Sequence, residues 1–143
     1  MRILGPNHIQ TADVHMDFGK LYLIKNKKSE SLQHFIEAYL IYDSYFGQNA
    51  LQTAEAAMNV ATILEEDGKV KEAFIYAKVA ASTYTNVFSV ENPTTIQALW
   101  QQLSISYALK EPDTVKQTSH LLNALSKRDL MSQDSPNLHD KKA

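Results

Sequence analysis

Three segments of this chain share one shape at a constant stride. Leu4-Gly5-Pro6-Asn7-His8-Ile9-Gln10-Thr11-Ala12 is echoed by Phe46-Gly47-Gln48-Asn49-Ala50-Leu51-Gln52-Thr53-Ala54, and more loosely by Phe88-Ser89-Val90-Glu91-Asn92-Pro93-Thr94-Thr95-Ile96. The copies open at residues 4, 46 and 88, a spacing of 42 each time. A fixed period of this size marks a stacked array of one supersecondary unit, because each unit needs its neighbours to bury its apolar faces. That requirement constrains the chain more than any other feature.

The bulk properties narrow the classes. With 143 residues, 44% of them hydrophobic, the chain can bury a real core in one domain. The formal net charge of −2 supplies no global field for nucleic acid or an anionic membrane. There is no cysteine, so disulfides and thiolate metal sites are excluded, which fits a reducing compartment. No apolar run approaches the roughly 18 residues of a membrane span. The apolar stretch before Gly5-Pro6 is too short for the core of a secretory signal. A soluble, cytoplasmic protein is expected.

Each copy divides into two helical patterns. In the first, helix A is expected over Gln10 to Ile24, with Val14, Phe18, Leu21 and Tyr22 on one apolar face, and Asn26 ending it. Helix B follows over Ser29 to Tyr45, with Leu32, Phe35, Ile36, Tyr39 and Leu40 on its face. The second copy places helix A over Leu51 to Asp67, stopped by Gly68, and helix B over Val70 to Asn86 through Ala73, Ala77 and Ala80. In the third, Asn92-Pro93 reads as an N-cap with Pro at the first helical position. Helix A then runs to Leu109, Lys110-Glu111-Pro112 turns the chain, and helix B spans Asp113 to Lys127. Strand signals are absent. The repeat domain is thus residues 1–128, in copies 4–45, 46–87 and 88–128, followed by a polar tail, 129–143, expected to be disordered.

The small and large positions recur in register. Gly19, Ala61 and Leu103 share one helix A position, and Tyr22, Leu64 and Ser106 the next. Ser31/Ala73/Val115, Phe35/Ala77/Ser119 and Ala38/Ala80/Leu122 follow on helix B. Small residues let two antiparallel helices approach closely, and larger ones fill the groove of the next pair. This pattern resembles tetratricopeptide (TPR) repeats. The eight extra residues per unit, the Leu4-Gly5-Pro6-Asn7-His8 opening and Gly68-Lys69 with Glu72-Ala73 at the inner turn make it similar to the kinesin-light-chain type. The fold so implied is an all-α, right-handed α-solenoid of three antiparallel helix pairs. Fainter likenesses are to TPR subunits of ciliary axonemes, which would imply a cytoskeletal or ciliary association. Another is to the helical C-terminal region of SET/MYND methyltransferases, whose catalytic part is absent here.

In such a stack helix A lines the inner face. The resemblance implies that ligand-facing side chains form four rows: Asp13, Glu55 and Gln97; Met16, Met58 and Trp100; Asp17, Asn59 and Gln101; Lys20, Thr62 and Ser104. The third row is typically Asn in the family, and Asn59 keeps it. Methionine adapts to varied apolar groups, tryptophan is a frequent hot-spot residue, and flanking amides and carboxylates could hold a peptide backbone or its basic side chains. The alternative is that Met16, Met58 and Trp100 pack in the core.

Other chemistry is thin. Lys25, Lys27 and Lys28 flank the first inner turn, and Glu65, Glu66 and Asp67 the second. The two sets are expected to attract across the repeat boundary, the competing reading being a basic patch for acidic tails or phosphate. His8, His15, His34, His120 and His139 show no metal-ligand spacing. Catalysis would need a carboxylate pair from Asp13, Asp17 and Glu55, for which solvated helix faces are the better reading. No phosphate loop, nucleophile elbow or kinase signature occurs. No enzyme activity, cofactor or metal is expected. The expected role is a protein-interaction module or adaptor binding a peptide or partner helix on the concave face. The alternative is an assembly subunit: a fragment of a longer array, a homo-oligomer or a cytoskeletal component. Helix B of the third copy, with Val115, Leu121, Leu122 and Leu125, would supply an uncovered end for self-association.

Overall fold

In a computed structural model of the protein, residues 9–88 and 91–125 are described. Six helices account for nearly all of them: α1 (Ile9–Ile24), α2 (Lys28–Phe46), α3 (Leu51–Glu66), α4 (Val70–Val87), α5 (Pro93–Leu109) and α6 (112–125). Among the described residues there is no strand. α1 packs on α2, α2 on α3, α3 on α4 and α4 on α5, while α3 also touches α5. The chain is an all-α solenoid of three TPR-like antiparallel helix pairs. The polar tail, 129–143, lies outside the described residues.

The stride of 42 is visible in the backbone. Asn26, Gly68 and Lys110 each adopt the left-handed conformation, with φ of 61°, 80° and 60°. Around each, the same two hydrogen bonds close the end of helix A. Lys27 N donates to Tyr22 O at 2.8 Å, Lys69 N to Leu64 O at 2.9 Å and Glu111 N to Ser106 O at 3.0 Å. Asn26, Gly68 and Lys110 donate to the carbonyls of Leu23, Glu65 and Tyr107. This six-to-one closure satisfies carbonyls that a helix end would leave unpaired. Glycine holds the position without strain, whereas lysine there must tolerate a crowded Cβ. At the start of α5, Asn92 Oδ1 accepts the Thr94 N–H at 2.9 Å with Pro93 at the first turn.

Within the first pair the helices touch at Gly19. A Cβ there would lie 2.6 Å from the Phe35 ring, and the Ser31 hydroxyl donates to Gly19 O at 2.7 Å. The small residue is what lets α1 and α2 close. The expected face of α1 is corrected by this packing. Ala12, Met16 and Gly19 are buried, while Val14, Phe18 and Leu21 are exposed and Tyr22 half-buried. Hydrophobicity alone favoured the larger residues, but close helix approach selects the small ones. On α2, Phe35 and Tyr39 are buried as expected, Leu32 and Ile36 are half-buried, and Leu40 points to solvent. On α6, Leu122 and Leu125 are buried rather than presented at an open end; Leu121 remains exposed and Val115 half-buried.

Candidate functional site

Stacking the pairs brings α1, α3 and α5 side by side, and their side chains meet across the repeat boundaries. Lys20 Nζ lies 3.3 Å from Glu55 Oε2. Gln101 Nε2 donates to Thr62 Oγ1 at 2.7 Å, and Thr62 Oγ1 donates in turn to Met58 O at 2.9 Å. Ser104 Oγ donates to Glu65 Oε2 at 2.9 Å, and Asn59 Nδ2 to Glu55 O at 3.1 Å. A groove of about 420 Å³ runs along this face. Lys20, Glu55, Met58, Asn59, Thr62 and Gln97 line it. These are six of the expected ligand-facing residues, drawn from all three repeats.

The remaining six are placed differently. Met16 is only 5% exposed and belongs to the core of the first pair, so the row of Met16, Met58 and Trp100 is broken at its first member. Met58 is half-buried against the core, whereas Trp100 is 57% exposed. On α1, Met16 shares its buried face with Ala12 and Gly19. Asp13 is exposed but accepts the Tyr42 hydroxyl. Asp17 and Ser104 are exposed, and Gln101 is half-buried with Oε1 buried and without a hydrogen-bond partner.

The floor of the groove was not anticipated. Leu51, Tyr84, Phe88 and Thr94 line it together with the residues above. Tyr84 stacks on Phe88 at 5.8 Å, and Tyr42 stacks on Phe46 at 6.2 Å in the preceding repeat. The pairs lie 42 apart, a signal present in the sequence that a search confined to helix A passed over. Burial pushes the Tyr84 phenol up to about 12, and the Glu55 charge adds to it. The Tyr42 phenol is likewise raised, first by burial and then by its bond to Asp13 and the nearby carboxylates. Both phenols therefore stay protonated donors at neutral pH. The groove offers an ammonium, a carboxylate, amides and hydroxyls over an aromatic floor. Asp13 accepts the Tyr42 hydroxyl, and Glu55 pairs with Lys20.

Two other sequence features find their place. Lys28 Nζ meets Glu66 Oε1 at 2.8 Å, the expected attraction across the inner turns, while Asp67 pairs within its own turn with Lys69 at 3.7 Å. His15 and His34 come together, Nδ1 to Nδ1 at 2.9 Å, although their sequence spacing gave no hint of a pair. His8 and His139 lie outside the described residues. Among the described residues no group of three or more His, Cys, Asp or Glu side chains could hold a metal ion. No helix among them is long and apolar enough to cross a membrane.

Comparison with known proteins supports the architecture. The chain superposes on the crystal structure of BtubC (BKLC) from P. vanneervenii with a TM-score of 0.67 at 12% identity, covering 85% of this chain and 50% of that one. It superposes equally, TM-score 0.67 at 11% identity, on a Podosopora anserina protein of the kinesin light chain type with nearly identical TPR-like repeats, covering 88% of this chain and 60% of that one. A single-residue variant of the latter gives the same TM-score at 12% identity, covering 92% and 60%. The fold is therefore that of the TPR-like kinesin light chain repeat proteins. The chain spans about half to three-fifths of the length of these structures. No family model matches the sequence, and no curated protein matches it.

Proposed function

We propose that the chain is a non-catalytic protein-interaction module that holds an extended peptide along the face of α1, α3 and α5. The observation that carries this reading is Trp100: a large indole, 57% exposed, on the same helix as groove-lining Gln97. An aromatic side chain of this size contributes most when a partner desolvates it. Asn59, Gln97 and Thr62 would meet the peptide backbone, and Glu55 would meet a basic side chain. The TPR-like fold supports a scaffold of this kind, since helix-pair stacks present long continuous surfaces.

The test is selection of peptides from a random displayed library on the whole chain, followed by measured affinities. Trp100→Ala should keep its far-UV circular dichroism and weaken the selected peptides at least about tenfold, the effect of a hot-spot truncation. Peptides that bind Trp100→Ala and Asn59→Ala as well as the parent would reject the groove. A second reading, an assembly subunit, is favoured by the apolar row on α1.

A further inference from the structure

His15 and His34 are 19 residues apart in the sequence, yet their Nδ1 atoms lie 2.9 Å from each other. His15 stands on α1 and His34 on α2, so the contact bridges the two helices of the first pair. Close packing fixes those helices. Gly19 lets α1 close on the Phe35 ring, and the Ser31 hydroxyl donates to Gly19 O at 2.7 Å. The rings are fixed as well. Phe18 and Tyr22 stack on His34 at 5.3 and 5.4 Å, and the two imidazoles tilt by 37° with centroids 5.2 Å apart. Side chains held this way lose little freedom when they take a ligand between them.

Two neutral imidazoles with ring nitrogens this close are a chelate as well as a hydrogen bond. Neutral imidazole is the commonest metal ligand among side chains, through either nitrogen. In the hydrogen bond one Nδ1 carries a proton. With that proton moved to Nε2 of the same ring, both Nδ1 atoms are free to bond one ion, and neither ring changes charge. Metal–imidazole bonds are about 2.0–2.1 Å long, so over the 2.9 Å separation they meet at about 90°. A tetrahedral ion such as zinc would need the nitrogens about 3.3 Å apart. The right angle suits the tetragonal preference of copper(II) and nickel(II). A cavity of about 310 Å³ adjoins the pair, lined by both histidines with Gln33, Ile36 and Glu37, and it has room for the waters that would complete the coordination. Among the described residues no group of three or more such ligands forms, so the protein supplies two nitrogens. Glu37 lies three positions after His34 on the same helix and lines the same cavity. Its carboxylate favours a cation there as a partner of the bound water.

We propose that His15 and His34 form a two-nitrogen chelate that takes a divalent copper or nickel ion between α1 and α2. The bound ion ties the first helix pair together at a second point besides the Gly19–Phe35 contact. The site uses no residue of the groove and stands or falls apart from the peptide-binding reading.

The test titrates the whole chain with copper, nickel and zinc chlorides by calorimetry at neutral pH. The parent should bind one equivalent of nickel, and bind it more tightly than zinc, because nickel accepts the right angle. His15→Gln and His34→Gln should each weaken nickel by more than about tenfold, the least that losing even an outer partner of a metal ligand costs. His8→Gln, His120→Gln and His139→Gln should bind as the parent does. Excess nickel should raise the melting temperature of the parent, EDTA should reverse the rise, and His34→Gln should show none. If either glutamine variant loses its circular dichroism, the parent alone decides. Copper(II) broadens the magnetic resonance signals of nearby nuclei, and in the parent the broadening should centre on the amides around His15 and His34. No saturable binding, binding that survives both of these histidine changes, zinc held more tightly than nickel, or broadening centred elsewhere would each overturn the proposal.

Discussion

The first and third helix pairs solve one packing problem with opposite residues. In the first, glycine on helix A lies under a phenylalanine on helix B, at Gly19 and Phe35. In the third, the same two positions hold Leu103 and Ser119, and in the second Ala61 and Ala77. Volume taken from one helix is given to the other, so the stride preserves the bulk of the joint and not its residues. The pairs also differ in how they attach to the second pair. The first is tied by ions, Lys20 to Glu55 and Lys28 to Glu66. The third is tied by neutral donors, Gln101 to Thr62 and Ser104 to Glu65.

The strongest way to break this comparison is Phe35→Ala. Phe35 is fully buried, and glycine opposite cannot fill the space, so stability should drop by about 3–5 kcal/mol in urea unfolding. Gly19→Leu should cost less, about 1–3 kcal/mol, by overpacking against the ring, even though leucine favours the helix. The double change Gly19→Leu with Phe35→Ala sets a large residue on helix A against a small one on helix B, the size order of Leu103 and Ser119 in the third pair. It should be clearly less destabilised than the sum of the two single changes, because the sites touch. Strict additivity would show that the two positions do not compensate.

That exchange explains what could be read ahead of the structure. The period, the helix boundaries and the left-handed turns at 26 and 68 are local chemistry, and they were legible. The inward face of α1 was not. Reading by hydrophobicity picked Val14, Phe18 and Leu21, because nothing in the first copy alone reveals that Gly19 must meet Phe35. Comparing copies would have corrected it, since Ala56, Val60 and Ile63 belong to a joint with a preceding pair. For the groove, the register placed six lining residues. It wrongly included Met16, which packs in the core of the first pair, and left out the Tyr84–Phe88 floor, which comes from helix B and the loop after it.

The histidine pair gives the first helix pair a pH response. His34 is held below its ordinary value of 6.5, first by burial and then by the His15 charge, with Glu37 opposing. The folded state therefore binds fewer protons than the unfolded chain. The stabilisation is complete above the unfolded value and is lost as pH falls through the lower folded value. One ring must donate and the other accept across their 2.9 Å bond, so a second proton breaks it. The melting temperature should fall from pH 7.5 to 5 by more in the parent than in His34→Gln. Equal slopes would mean that the pair does not set the response.

The smallest expected effect separates the two attachments. Lys28 and Glu66 are each about half exposed at 2.8 Å, and such pairs contribute roughly 0.2–1 kcal/mol. Shifted by 42, their positions become Val70 and Ala108, which cannot pair by charge. Salt should therefore act on one junction only. At 1 M the screening length is about 3 Å, so the Lys20 and Lys28 contacts weaken while the Gln101 and Ser104 hydrogen bonds do not. A double-mutant cycle over Lys28→Ala and Glu66→Ala should give a coupling of a few tenths of a kcal/mol at low salt that vanishes at 1 M. Hydrogen exchange should show α1 and α2 opening more readily in high salt, with α5 unchanged. Equal salt sensitivity at both junctions would mean that the ion pairs add nothing that the neutral contacts lack.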